Sequence, residues 1–378
     1  MSELSDARRS SPPRGRGSSL NPPNRFIPIH YEEDPARLDP DAPKPRTQLF
    51  EDRSASIITT NDSPDVGFTH SLNPYRGCEH GCSYCYARPF HEYLGLSAGL
   101  DFETKIIVKP EAPELLRKEL KKPSWRPVML ALSGVTDAYQ PIERQLQITR
   151  KCLKVLAEFR NPVGIVTKNH LVTRDLDVLQ ELASQRAAHV FISITTLDTK
   201  LARVLEPRAS TPEARLTAIR ELRSAGVPVG VMVAPVIPGM TDHEIPAILQ
   251  AAADAGAGFA AHVLLRLPFA VKDLFEHWLR THFPEKADKV LHRVRAIRGG
   301  ALNDARFVCR MRGEGALAQA IRDQFRIHRQ RAGLMPSPPE LSTGAFRVPG
   351  PLQRTLFDGL SDEPSIERIM AEASDPRP

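Results

Sequence analysis

Cys78-Glu79-His80-Gly81-Cys82-Ser83-Tyr84-Cys85-Tyr86 gathers three of the chain's five cysteines at C-x3-C-x2-C spacing. Gly77 and Gly81 let the backbone turn sharply enough for the thiols to converge. Three thiolates hold three irons of a cubane cluster and leave the fourth without a protein ligand; ordinary ferredoxin-type carriers supply four cysteines. An iron left open in this way binds a substrate or a second cofactor. Two other readings use the same thiols. A structural zinc site wants four ligands, usually from paired C-x2-C motifs, so His80 or His91 would have to complete it. A disulfide needs an oxidising compartment and leaves an odd cysteine.

The 378 residues are 41% hydrophobic and 25% charged, enough for a sizeable core and, by length, for two or three domains. Few cysteines, mostly clustered, fit a reducing cytosol. No apolar run approaches the roughly 18–20 residues that span a bilayer. The polar Pro/Ser/Arg-rich N-terminus lacks the apolar region of a secretory signal. A cytoplasmic protein with no membrane association is expected. The net charge of +6, with a pI near 9.1, is compatible with a polyanionic partner but modest for this length.

Outward from the cysteines, residues 57–60 and 67–72 read as short extended pieces and 105–108 as another, followed by a helix over 111–121. A regular alternation then begins. Strands are expected at 128–133, 163–167, 190–195, 229–234 and 262–265. Helices are expected at 142–159, 176–182, 212–225, 243–255 and 271–279. Cys152 falls on the apolar face of its helix and reads as core. Short apolar runs between amphipathic helices argue parallel βαβ units in an α/β fold, about six counting the strand before the cysteines. Ligands of such barrels sit at the C-terminal strand ends.

The C-x3-C-x-aromatic-C pattern, with Tyr84 as its aromatic, resembles the signature of the radical SAM superfamily. The resemblance implies an open, partial (β/α)6 barrel and a [4Fe-4S] cluster on Cys78, Cys82 and Cys85. It also implies S-adenosyl-L-methionine chelated at the open iron, and an external electron donor such as flavodoxin or ferredoxin. The activity it implies is reductive cleavage of S-adenosylmethionine to methionine and a 5′-deoxyadenosyl radical, which takes a hydrogen atom from the substrate. Ser133, Gly134 and Thr136 match the small-residue turn that grips the amino group of the cofactor. A plain strand-to-helix turn capped by Thr136 or Asp137 is the other reading.

A narrower resemblance, to the spore photoproduct lyase branch, rests on Tyr84-Cys85-Tyr86, Thr167-Lys168 and Ser193. It implies that Tyr86, Lys168 and Ser193 help hold S-adenosylmethionine, with Lys168 on its carboxylate. Asn73-Pro74-Tyr75-Arg76-Gly77 and the run from Asp137 to Glu143 are similar to a bacterial subgroup of that branch. Tyr84 and Arg208 complete the expected cofactor-binding set, although Arg208 reads equally as a surface-loop residue. The lyase branch returns hydrogen from a cysteine at the end of the second strand. Leu132, Ser133 and Gly134 stand there in this chain, so the same repair route is not implied. Tyr139 or Tyr86 would be the phenolic hydrogen donor.

The expected organisation is a disordered arm over 1–50, a core barrel over 51–285, a basic helical extension over 286–335 and a flexible Pro-rich tail over 336–378. Gln353, Leu356 and Phe357 in that tail resemble the peptide that docks bacterial repair proteins on the DNA sliding clamp. With the basic balance, this favours a nucleic-acid substrate and a role like DNA repair. The same chemistry on a protein or small metabolite, and a non-catalytic zinc or iron–sulfur module, are the alternatives.

Overall fold

Six strands, each parallel to its neighbour and adjacent in chain order, form the centre of the fold. The computed structural model describes residues 13, 15–27, 45–132, 134–350, 366, 369 and 370. A small sheet joins β1 (Gln48–Glu51), β4 (Tyr75–Arg76) and β5 (Lys105–Val108) in the order β1-β5-β4. The main sheet contains β2 (Ile58–Thr60), β3 (His70–Leu72), β6 (Leu130–Leu132), β7 (Val163–Thr167), β8 (Ala188–Ser193), β9 (Val229–Val236) and β10 (Phe259–Leu264). Its order is β10-β9-β8-β7-β6-β3-β2, with only the β2–β3 pair antiparallel.

Strands that follow one another without reversal keep winding the same way, as in a barrel; a doubly wound sheet would reverse at a switch point. This is the expected α/β core, with β3 as its first strand. All six residues of β8 are buried, as a strand covered on both faces requires. The helix Ile148–Phe159 turns Ile148, Cys152, Leu153, Leu156 and Phe159 into the core, and Cys152 is a core residue as expected. At the β10 edge, Met335 pairs with Phe259 and so covers otherwise free backbone groups.

Two local features differ from the sequence reading. The helix expected over 142–159 is broken at Gln147, whose φ is 53°. The buried Glu143 carboxylate accepts from the backbone N–H groups of Thr149 (3.0 Å) and Arg150 (3.3 Å), which the break leaves without helical partners. The helix Thr199–Leu205, not anticipated, starts where the Asp198 side chain accepts from the Lys200 and Leu201 N–H groups.

The extensions, expected to be unstructured, pack where they are described. Residues 48–50 lie in β1, and Arg16 donates to the Glu103 carbonyl at 2.7 Å. In the tail, Phe346 meets the Phe159 ring and the Arg347 N–H bonds the Phe159 carbonyl at 3.0 Å. The helices Pro284–Ala296 and Gly315–Arg331 occupy the expected extension, the second burying Ala318, Ile321 and Phe325.

Candidate active site

The cysteine loop leaves β4 and is tied to the segments that follow β6, β7 and β8. The Gly77 carbonyl accepts from Thr136 Oγ1 (2.6 Å) and Gln140 Nε2 (3.3 Å), and the Glu79 N–H donates to Gln140 Oε1 at 2.9 Å. Glu79 Oε2 accepts the Ile142 N–H at 2.7 Å, while Oε1 lies 3.0 Å from Arg208 Nη1. The Arg208 N–H bonds the His80 carbonyl, and the Ser83 N–H bonds the Leu205 carbonyl. Arg88, completely buried, donates twice to the Cys82 carbonyl, at 2.9 and 3.1 Å. Such a web fixes the loop before any ligand arrives.

Gly81 takes φ 68°, which favours glycine. The arm runs close beside it: a Cβ on Gly17 would stand 1.7 Å from the Gly81 carbonyl oxygen, and the Gly17 N–H donates to Glu103 Oε2 at 2.9 Å.

The two imidazoles that would complete a zinc site are otherwise engaged. His80 lies between Asp137 (3.4 Å) and Asn169 (3.2 Å), and His91 Nε2 lies 2.9 Å from the Lys105 carbonyl. Ligands of one tetrahedral zinc, at about 2.3 Å from the metal, sit about 3.8 Å apart. Among the described residues, the one acidic, Cys or His group of three or more with all ligand atoms within 4.8 Å is Asp304, Cys309 and Glu314. At least one pair of the three loop sulfurs therefore lies more than 4.8 Å apart, wider than one tetrahedral ion requires. Ser83 Oγ, within the loop, is buried without a hydrogen-bond partner among the described residues. Burial drives all three thiols upward in pKa, with Asp137 adding to the effect on Cys78 and Glu206 to that on Cys82. Without metal they are protonated, so metal binding must release protons.

Opposite the loop, the ends of β7, β8 and β9 meet in a buried polar cluster. Lys168 Nζ donates to Ser193 Oγ (2.8 Å), the Ala234 carbonyl (2.9 Å) and Thr195 Oγ1 (3.2 Å), and stands 3.1 Å from Glu206. Glu206 also takes Arg215, the Tyr84 hydroxyl and Thr195 Oγ1. Burial raises its pKa, but Arg215 and Lys168 more than reverse this and hold it far below the usual carboxylate range. Two cations face one carboxylate, which leaves a positive charge for an anionic ligand group. Asp137 is likewise held low: burial opposes ionisation, but His80 and the N–H groups of Lys168 and Tyr139 outweigh it.

The expected site residues thus fall into three sets. Tyr84, Lys168 and Ser193 meet in the polar cluster. Tyr86 joins the turn after β6, its hydroxyl donating to the Gly134 carbonyl at 3.0 Å, while Thr136 is spent on Gly77. Arg208 braces Glu79 beneath the loop. Ser133 and the segment Gln353–Phe357 lie outside the described residues. Tyr139 is a correction. Its ring is wholly buried in the core and its hydroxyl donates to Asp175 at 3.2 Å, so it offers no face to a substrate.

Sequence reading missed Asn73, Glu79, Glu206 and Arg215 as site builders. Asn73 Oδ1 accepts the Gly134 (2.9 Å) and Val135 (3.2 Å) N–H groups and so shapes the turn. Its place just ahead of the cysteines was the available signal.

The radical SAM superfamily model matches residues 72–252. An uncharacterised protein of Mycobacterium tuberculosis is 37% identical over 77% of this chain and 82% of its own length. A Pseudomonas phage M6 protein described as a radical SAM Nalpha-GlyT isomerase is 28% identical over 53% of this chain and 40% of its own. Among solved structures, spore photoproduct lyase complexed with dinucleoside spore photoproduct aligns with a TM-score of 0.56 at 17% identity, over 76% of this chain and 81% of that one. At that identity the likeness concerns the fold.

Proposed function

This chain belongs to the radical SAM superfamily, and from that membership we propose that it is an iron–sulfur enzyme acting on nucleic acid, in a reaction of the DNA-repair type. When bound, the cluster and S-adenosylmethionine supply one-electron chemistry that opens an unreactive C–H bond, and enzymes of this superfamily need a reductant. The protein's share is to bind, orient and exclude water. Cys78, Cys82 and Cys85 would hold the cluster. Gly134 and its neighbours, shaped by Asn73, would take the amino group of S-adenosylmethionine. Lys168 would take its carboxylate, Ser193 and Tyr86 would flank it, and Arg208 would steady the loop through Glu79.

The observation that carries this reading is the meeting of the three-cysteine loop with the Lys168–Glu206–Arg215 cluster, in which positive charge exceeds negative. The nucleic-acid preference rests on the net charge of +6 and on the dinucleoside photoproduct bound by the structural neighbour spore photoproduct lyase. No helix among the described residues is long and apolar enough to cross a membrane.

The test is electron paramagnetic resonance of anaerobically reconstituted, reduced protein with and without S-adenosylmethionine. A cluster signal displaced by the cofactor, with reductive cleavage, is expected. Tight zinc and no iron uptake would overturn the enzyme reading. Cleavage with no salt-dependent binding to DNA or RNA would leave the enzyme and remove its nucleic-acid substrate.

A further inference from the structure

Exposed aromatic rings stand on the cysteine loop, just after it, and on the segments that meet this region. Tyr86, at the loop's end, faces Arg266, whose guanidinium carbon lies 5.5 Å from its ring centre. Three residues beyond Arg266, Phe269 is 56% exposed and holds φ 51°, unusual for a residue with a side chain. Arg25 lies over Phe269 at 3.7 Å and over Phe26 at 5.0 Å. Phe26 stacks on Tyr93 at 4.8 Å, and Phe90 is 6.4 Å from Tyr93. Phe26, Phe90 and Tyr93 are 53%, 46% and 67% exposed.

Apolar rings left in water at this density mark a binding surface. Buried Glu92 balances Arg25 at 2.7 Å, so Arg25 serves to hold the rings together. Arg266 has no acidic partner within ion-pair distance among the described residues, its contact being Met311 Sδ at 3.3 Å, and its Nε is buried and unbonded. Its neighbour Arg310 is already taken by Asp65. Ring faces alternating with guanidinium groups, and one arginine short of an anion, match the chemistry of unpaired nucleic acid: bases stack on rings and phosphates take the arginine.

We propose that Phe26, Phe90, Tyr93 and Phe269 form a stacking platform for an unpaired nucleic-acid strand, with Arg266 receiving a phosphate where the strand enters beside Tyr86. This rests on the nucleic-acid reading of the site and names its form, a single strand laid across the mouth of the barrel. It also gives the described part of the arm a task, since Arg25 and Phe26 complete the platform.

The test uses the full chain with its cluster reconstituted anaerobically and a short fluorescein-labelled oligothymidylate as probe, read by fluorescence anisotropy. Two variants address the platform, Tyr93→Ser and Phe269→Gly, the second chosen because glycine accepts the positive φ. Each is expected to weaken single-strand binding about tenfold. Arg266→Gln is expected to lower the salt dependence of binding. Circular dichroism and S-adenosylmethionine cleavage by both platform variants should match the parent protein. Oligothymidylate binding that is absent, or unchanged in both variants, overturns the platform. So does slower reduction by flavodoxin with unchanged oligonucleotide binding, which would make these rings an electron-donor dock. Cleavage absent in the parent protein overturns the radical reading separately, because anisotropy still reads the platform.

Discussion

Lys168 Nζ stands 3.1 Å from one oxygen of Glu206, and Arg215 closes on the other oxygen of the same carboxylate. The acid holds two buried cations in place, so its removal strands both. Glu206→Ala is expected to destabilise the fold by about 3–5 kcal/mol in urea denaturation. Lys168→Met leaves Glu206 paired with Arg215 and should cost less stability. It should nevertheless abolish the displacement of the cluster signal by S-adenosylmethionine; a signal displaced as in the parent would reject the role given to Lys168.

The thiols separate by position. Alanine at Cys78, Cys82 or Cys85 is expected to remove most of the bound iron and the visible absorption after reconstitution. Cys152→Ala should keep the iron, because that thiol lies in the core, and so should Cys309→Ser. Iron content and absorbance measured on purified variants decide the matter.

Asn73 acts through the turn it shapes. Asn73→Ala leaves the Gly134 and Val135 N–H groups without their acceptor, a loss of about 1–3 kcal/mol. S-adenosylmethionine binding should weaken about tenfold in equilibrium dialysis. Asn73→Asp keeps an acceptor oxygen and should restore most of the affinity; equal affinity in Asn73→Ala would exclude the turn from the site.

Burial lowers the pKa of His189 from the ordinary imidazole value to about 4 in the folded protein. The unfolded chain takes up the proton first, so this contribution is fully present above about pH 6.5. It shrinks as pH falls and levels off below about pH 4, for a total near 3 kcal/mol. His189 packs edge-on against Phe191 and Phe259, which makes His189→Phe a suitable comparison. Urea midpoints of the parent should fall more steeply across that window than those of the variant; parallel curves would contradict the assignment.

The two phenols expected to donate hydrogen should behave differently. Tyr139→Phe loses a hydrogen bond to Asp175 and should cost about 1 kcal/mol in stability while leaving cofactor cleavage intact. Tyr86→Phe loses its bond to the Gly134 carbonyl and should weaken S-adenosylmethionine binding, read as a higher KM for cleavage.

Much of the site was legible because its chemistry is local. The cysteine spacing and the Thr167-Lys168 strand end lie within short runs, and their side chains are confined by a few backbone angles. Glu206 was not legible. A glutamate ahead of Pro207-Arg208 reads as a solvated loop residue, and only the approach of Tyr84, 122 residues earlier, makes it the hub of a buried cluster. Tyr139 failed for the converse reason: its place after β6 suggested the mouth of the barrel, yet its ring turns into the core.

By itself the sequence determined the periodicities, and with them six parallel strands in chain order, the helices between them and a three-thiol loop after the first strand. These follow from side-chain spacing along a strand or helix, which needs no knowledge of distant residues. Only the tertiary structure decided which strand-end groups share a carboxylate, that residues 15–27 and 336–350 pack against the barrel, and that exposed rings from three separate segments gather around Arg25 and Tyr93. Such meetings depend on loop closure over many residues, and a polar or aromatic side chain reads the same in sequence whether the fold buries it or leaves it in water.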